Sequence, residues 1–184
     1  GIPVILCSAR YPDGVEQGIP VILCSARYPD GVEFVVRQAE LHSPIVCYGG
    51  SLILDRDRSI LWDAGIDTRT AVRFKRFVDE RFPDLITSTY LYSVWLVDDA
   101  KNPVIRREAD IIQCRPLSGN LESASQAMDH VHKLLCVGAP GQILRLQKEA
   151  APLFPEVELL CSGSTYLEVL KRGVSKRTAM QTLQ

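Results

Sequence analysis

Ser25 and Arg27 close the apolar run "IPVILCS" and the loop beyond it, and Lys176 sits in "GVSKRTA" near the end of the 184-residue chain. A serine hydroxyl at the end of a buried strand, with the backbone N–H groups that follow it, can grip a phosphoryl oxygen. Arg27 adds a cation two residues on. A lysine at a helix start favours an anion twice over, through its ammonium and through the helix dipole. Singly, each has a plainer reading, a serine in a loop and a lysine at a helix end. Two acidic pairs invite a different chemistry. Asp55 and Asp57 in "LILDRDRS" have the spacing of an aspartate nucleophile and an aspartate acid/base. That chemistry needs a tight glycine turn after the pair, so that backbone N–H groups surround a phosphate. Arg58 and Ser59 follow instead, and the chain returns into "ILWD", which predicts a solvated hairpin turn. Asp98 and Asp99, before "AKNP", read as a turn by the same logic. "VGAPGQ" lacks both G-x-G-x-x-G and a G-K-[ST] ending, so it predicts an ordinary strand-to-helix loop with Pro140 in the first turn.

These residues need elements to hold them. "IPVILCS" is continuously apolar, as expected of a strand buried on both faces. "PDGVEFVVRQAEL" puts Val32, Val35, Val36 and Ala39 on one helical face, with Asp30 as the N-cap. "SPIVCYGG" is a second buried strand. Strand, helix and strand in that order predict a parallel sheet, whose ligands gather at the carboxyl ends of its strands. Those ends are Ser25 to Arg27 and Tyr48 to Ser51. "SLILDRDRSILWD" predicts a hairpin, and Ala71, Phe74, Val78 and Phe82 a helix. "TYLYSVWLVDDAKNPVIRR" predicts a strand, a turn at Asp98 to Pro103 and a return strand. Leu121, Ala124, Met128, Val131 and Leu135 predict a helix leading into the strand "KLLCVGA". Ile143, Leu146, Ala150 and Leu153 mark another, and "VELLCSGSTYLEVL" supplies two strands. The fold class is α/β, with a second α+β lobe inserted from about Leu52 to Leu170.

One repeat stands apart: "GIPVILCSARYPDGVE" occupies residues 1–16 and again 18–33, letter for letter. The second copy runs into a helix and the next strand, so its Ser25 is the functional one. The stretch from Ser8 to Gly18 falls short of the dozen or so residues a parallel crossover takes. Ile2 to Cys7 is therefore expected to be loosely ordered or added as a strand on the sheet edge.

Composition narrows the function classes. Hydrophobic content of 46%, charged content of 23% and a net charge of −1 are those of a globular protein without a basic stripe. Neither nucleic acid nor a membrane is expected as a partner. The apolar runs are strand-sized and no signal peptide is apparent, so a cytoplasmic location is expected. The 6 cysteines form no C-x-x-C and lie apart from the histidines, which reads as buried thiols in a reducing compartment. A nucleotide-binding α/β protein stays open as a reading, resting on the strand–helix–strand unit and the "VGAPGQ" loop.

The ordered set "GIPVILCSARYPDGV", "PIVCYGGSLILDRDRSIL", "KLLCVGAPGQI" and "YLEVLKRGVSKRTAMQTL" resembles the Cof-type branch of the haloacid dehalogenase (HAD) superfamily of phosphatases. The resemblance runs from Gly18 to the C-terminus. It implies hydrolysis of a small phosphorylated metabolite, a sugar phosphate or similar, through an aspartyl-phosphate with Mg²⁺. It implies a partial Rossmann-like HAD core with a large inserted α+β cap: residues 1–17 as a duplicated strand and loop, 18–51 as partial core, 52–170 as cap, and 171–184 as the return to the core. Ser25 matches the Ser/Thr that hydrogen-bonds the transferring phosphoryl group, and Lys176 the lysine that offsets its charge. Arg27 matches the arginine of the "T-G-R" pattern, with Ala26 in place of glycine. Gly49 and Gly50 match the substrate-contacting "N-G-A", Gly49 standing where asparagine is usual, and Arg177 replaces the glycine after the lysine. The family's D-x-D-G-T and G-D-x-x-N-D motifs do not occur in these 184 residues, so neither the nucleophile nor the Mg²⁺ ligands are supplied. Whether the polypeptide is an enzyme is thereby left open, and inactivity as it stands is expected. The alternative is a non-catalytic module that self-associates through exposed strand edges.

Overall fold

Ile45, Val46 and Cys47 are each 0% exposed, as a run with no polar alternation must be once it folds. The protein's computed structural model describes residues 4–6, 21–38, 40–112 and 114–183. In chain order they form strands β1 (Val4–Leu6) and β2 (Val21–Cys24), helix α1 (Pro29–Gln38), strands β3 (Ile45–Cys47), β4 (Leu52–Leu54), β5 (Ile60–Asp63) and β6 (Ile66–Asp67), and helix α2 (Thr68–Arg81). Next come β7 (Ile86–Leu91), β8 (Val94–Val97), α3 (Pro103–Ile112), β9 (Leu117–Ser118) and α4 (Leu121–Ala124). The remainder is β10 (His130–Val131), β11 (Lys133–Val137), α5 (Pro140–Ala150), β12 (Val157–Gly163), β13 (Tyr166–Lys171) and α6 (Lys176–Thr182). The fold is α/β. The chain divides into two units, Gly1–Ala64 with Val174–Gln184, and Gly65–Gly173.

The first unit is built on a five-stranded sheet in the order β1-β2-β3-β4-β5. β1, β2 and β3 are parallel, and the β4–β5 hairpin continues the sheet antiparallel beyond β3. That hairpin therefore lies in the same sheet as the strand leading to Ser25, because Leu52, Ile53 and Leu54 are as apolar and buried as β3 itself. Ala179 and Met180 of α6 cover one face, packed on Ile22, Cys24, Val46 and Ile53. Of the two expectations for the first repeat copy, the edge strand is the one found, over Val4–Leu6. Its register sets Val4, Ile5 and Leu6 beside their own duplicates Val21, Ile22 and Leu23. The connection between these two strands, residues 7–20, lies outside the described residues, and with it the expectation about the crossover.

The second unit has a six-stranded sheet, β12-β13-β11-β7-β8-β9, with α2 and α5 on one face. Ala71, Phe74 and Val78 from α2, and Ile143, Leu146 and Ala150 from α5, are each 0% exposed against Leu134, Cys136, Leu167 and Val169. Burying each large apolar side chain stabilises the fold by about 1.5–3 kcal/mol. Phe154 (3% exposed) completes this layer edge-to-face on Phe74, whereas Leu153, expected there, is 54% exposed. α5 ends at Ala150, so the 3.6-residue period no longer applies at position 153.

Three local expectations change. The return strand after "DDAKN" is helix α3: the Asn102 side chain accepts the Val104 N–H at 2.9 Å, Pro103 opens the first turn, and Ile105 is buried. The helix expected from Leu121 to Leu135 is only the four residues of α4, capped by Asn120. Val131 then pairs with Ile66, and Leu135 with Ser88 and Glu168, so strand pairing overrides the helical spacing. Asp30 lies inside the first turn of α1, which begins at Pro29, and is not its N-cap. Among the described residues no helix is long and apolar enough to cross a membrane.

Candidate functional site

Asp57 is spent inside its own turn. Its Oδ1 accepts the Ser59 hydroxyl at 2.6 Å and the Ser59 N–H at 2.9 Å, which holds the carboxyl below its ordinary pKa. The Asp55 N–H donates to the Ser59 carbonyl at 2.8 Å and closes the hairpin, as the sequence predicts. Asp99 accepts the Lys101 N–H in a turn, while Asp98 pairs with Lys75 at 2.7 Å. Burial pulls the Lys75 pKa down, but hydrogen bonds to Asp79 and Asp98 more than offset it, so this is a structural ion pair. In "VGAPGQ", Pro140 opens α5. Gly138 lies under Leu85: a Cβ there would lie 2.0 Å from Leu85 Cδ2, so the leucine side chain would have to shift.

The candidate site assembles within the first unit from three chain segments: the loop after β2, the loop after β3 and the start of α6. Ser25 is half-buried and Arg27 exposed. The Ser25 Oγ accepts the Arg27 N–H at 3.1 Å, which folds the loop back on itself and leaves the hydroxyl proton free to donate elsewhere. The Ser25 N–H donates to Val46 O at 2.8 Å and extends the β2–β3 ladder. Gly49 N–H then donates to Ser25 O at 2.8 Å, and Tyr48 N–H to Arg27 O at 3.0 Å. The two strand ends are thus fastened by their backbones. Tyr48, 1% exposed, holds a left-handed φ of 51° and Gly49 one of 66°, so the chain reverses tightly here.

Gly50 connects this turn to α6. At φ +123° a Cβ on Gly50 would sit 2.4 Å from the Ser175 carbonyl oxygen and 3.3 Å from the Lys176 nitrogen, so only glycine admits the approach. Ser175 caps α6 by a capping box: its Oγ accepts the Thr178 N–H at 3.1 Å, and its own N–H donates to the Thr178 hydroxyl at 2.9 Å. Lys176, half-buried, is the first helical residue. Ser25, Gly49, Gly50 and Lys176 are therefore brought into one chain of backbone contacts, with Arg27 at its outer edge. Sequence reasoning passed over Ser175 and Tyr48. The S-x-x-T spacing before an apolar helix was the available signal for Ser175. A left-handed tyrosine leaves none.

The sequence and the fold are shared with known proteins. The family description "haloacid dehalogenase-like hydrolase" matches residues 1–184. The chain belongs to the haloacid dehalogenase superfamily. A haloacid dehalogenase-like hydrolase from Bacteroides thetaiotaomicron superposes with a TM-score of 0.79 at 20% identity, covering 91% of this chain and 64% of that one. A HAD/COF-like hydrolase from Plasmodium vivax gives a TM-score of 0.71 at 19% identity over 93% of this chain and 62% of that one. A curated Haemophilus influenzae protein named "Putative phosphatase" is 24% identical over 186 residues, 100% of this chain and 62% of that protein. The HAD chain described here thus spans under two thirds of the length of these relatives. Among its described residues, no group of three His, Cys, Asp or Glu ligand atoms gathers at the Ser25 and Lys176 segments. The described residues at these segments do not fit Mg²⁺, which takes several oxygen ligands and favours carboxylates.

Proposed function

We propose that this chain carries the phosphoryl-gripping part of a phosphatase that acts on a small phosphorylated metabolite, and that the 184-residue polypeptide binds phosphate without hydrolysing its esters. The observation that carries the reading is the Gly50–Ser175 approach, which fastens the start of α6 to the loop that is itself hydrogen-bonded to Ser25. In this reading the Ser25 hydroxyl donates to a phosphoryl oxygen, the Lys176 ammonium offsets its charge, and Arg27 supplies a second cation from the rim. Gly49 and Gly50 leave the backbone bare, so that a substrate can approach closely. The residues from Gly65 to Gly173 act as the substrate-selecting cap. Hydrolysis requires a nucleophile and a carboxylate-bound metal, and in this reading the segments assembled here serve binding alone.

Titration with inorganic phosphate, followed at the backbone amide signals of Ser25 to Arg27 and Gly49, tests this. Saturable shifts are expected, with affinity reduced at least tenfold in Ser25→Ala and in Lys176→Ala, about 1.4 kcal/mol each. Shifts that survive both substitutions unchanged, or no saturable shift at all, would overturn it.

A further inference from the structure

Away from these loops, the second unit carries a concavity of about 890 Å³ formed by α3 with Ala100 before it and Arg115 and Pro116 beyond it, its charged lining being Arg106, Arg107, Asp110 and Arg115. Three arginines and one aspartate thus line it. None of the three arginines has a carboxylate within salt-bridge distance among the described residues. This sets them apart from the protein's other exposed arginine row. On α2, Arg73 is held by Glu156 at 2.8 Å and Arg76 pairs with Glu122, so the groove they line is already neutralised. Glu108, the other acid on α3, is engaged by the Tyr166 hydroxyl at 2.6 Å. Arg106 closes the first turn of a ten-residue helix, where the positive end of the helix dipole adds to its field.

We propose that this concavity is a second anion site, and that it takes a small molecule bearing two phosphate groups. Guanidinium groups match phosphate oxygens in bidentate fashion, and three of them exceed what one phosphate engages. The volume falls in the range of small-molecule pockets. The lining contains no aromatic side chain on which a nucleobase could stack, so recognition rests on the phosphates rather than on a base. The proposal does not depend on Ser25 or Lys176, and it predicts a ligand held by the second unit whatever the first unit does.

Two-dimensional NMR of the arginine Nε–H groups tests it on the full chain, with signals assigned by Arg→Lys replacement at 106, 107 and 115. Inorganic pyrophosphate and a sugar bisphosphate are titrated separately, with sulfate at matched ionic strength as the screening control. Saturable shifts of the Arg106, Arg107 and Arg115 signals are expected with pyrophosphate, at least tenfold tighter than with sulfate. The bisphosphate arm shows whether a sugar is accommodated: affinity equal to or above that for pyrophosphate supports an organic ligand, and loss of binding restricts the site to the inorganic anion. Arg106→Ala and Arg115→Ala should each weaken pyrophosphate at least tenfold, while Lys176→Ala leaves the arginine shifts unchanged. Sulfate and pyrophosphate giving the same weak, unsaturable response would overturn the proposal. So would ADP binding more than tenfold tighter than pyrophosphate. The signals of the unmutated chain decide the matter even where an alanine variant fails to fold.

Discussion

Cys47 and Cys136 are completely enclosed, at 0% exposure, and burial pushes both thiols up, Cys136 to about 12 against an ordinary value of 9.0. The folded state therefore keeps protons that the unfolded chain releases. The resulting stability is complete below about pH 9 and is lost as pH rises toward the folded values. Urea unfolding from pH 7 to 10.5 should show stability falling above pH 9, by up to about 1.4 kcal/mol per pH unit for each thiol. Cys136→Ala should flatten that slope whatever it does to stability at pH 7; an unchanged slope would contradict the burial argument. At this scale much was legible. The turns at Asp55–Asp57 and Asp98–Asp99 followed from the absence of a glycine turn and from the residues beside them. Lys75 as the partner of Asp98 was not legible, because the two meet only through tertiary packing.

Among the elements, the turn after β3 and the start of α6 depend on Gly50. Gly50→Ala would force a Cβ into the Ser175 carbonyl at a backbone angle that L-residues avoid. It should lower stability by about 2 kcal/mol or more and abolish the phosphate-induced shifts at Ser25. Gly141→Ala is the contrast. A Cβ there meets nothing within 4 Å, and in α5 alanine should raise stability by about 0.5–1 kcal/mol. Equal effects from the two substitutions in thermal unfolding would show that Gly50 is not the constraint argued here. The sequence's periodicity located α1, α2, α5 and most strands, since a single buried face repeats clearly along each. It missed α3, whose "PVIRREADII" is anchored by one fully buried isoleucine and by a cap rather than by a wide apolar stripe. It overextended α4, because apolar residues at helical spacing turned out to belong to two strands and the turn before them.

For the molecule as a whole, two units share one chain, and Ser25 and Lys176, the residues proposed to bind a phosphoryl group, stand near opposite ends of it in sequence yet fall in the same unit. The doubled segment adds the strand Val4–Leu6 beside the one that leads to Ser25, and that strand itself contains no aspartate. Family membership was legible from the ordered motifs. The way the first unit fastens them together was not, because it rests on the Gly50–Ser175 contact between residues far apart in sequence. The most direct test is turnover of a generic phosphate monoester by the purified 184-residue polypeptide with Mg²⁺. Binding without hydrolysis predicts no rate above that of buffer, for the unmodified chain and for Lys176→Ala and Asp55→Asn alike. Turnover that Lys176→Ala abolishes and Asp55→Asn leaves intact would contradict the account by revealing a nucleophile outside the residues considered. Turnover abolished by Asp55→Asn would contradict it by placing the nucleophile in the hairpin.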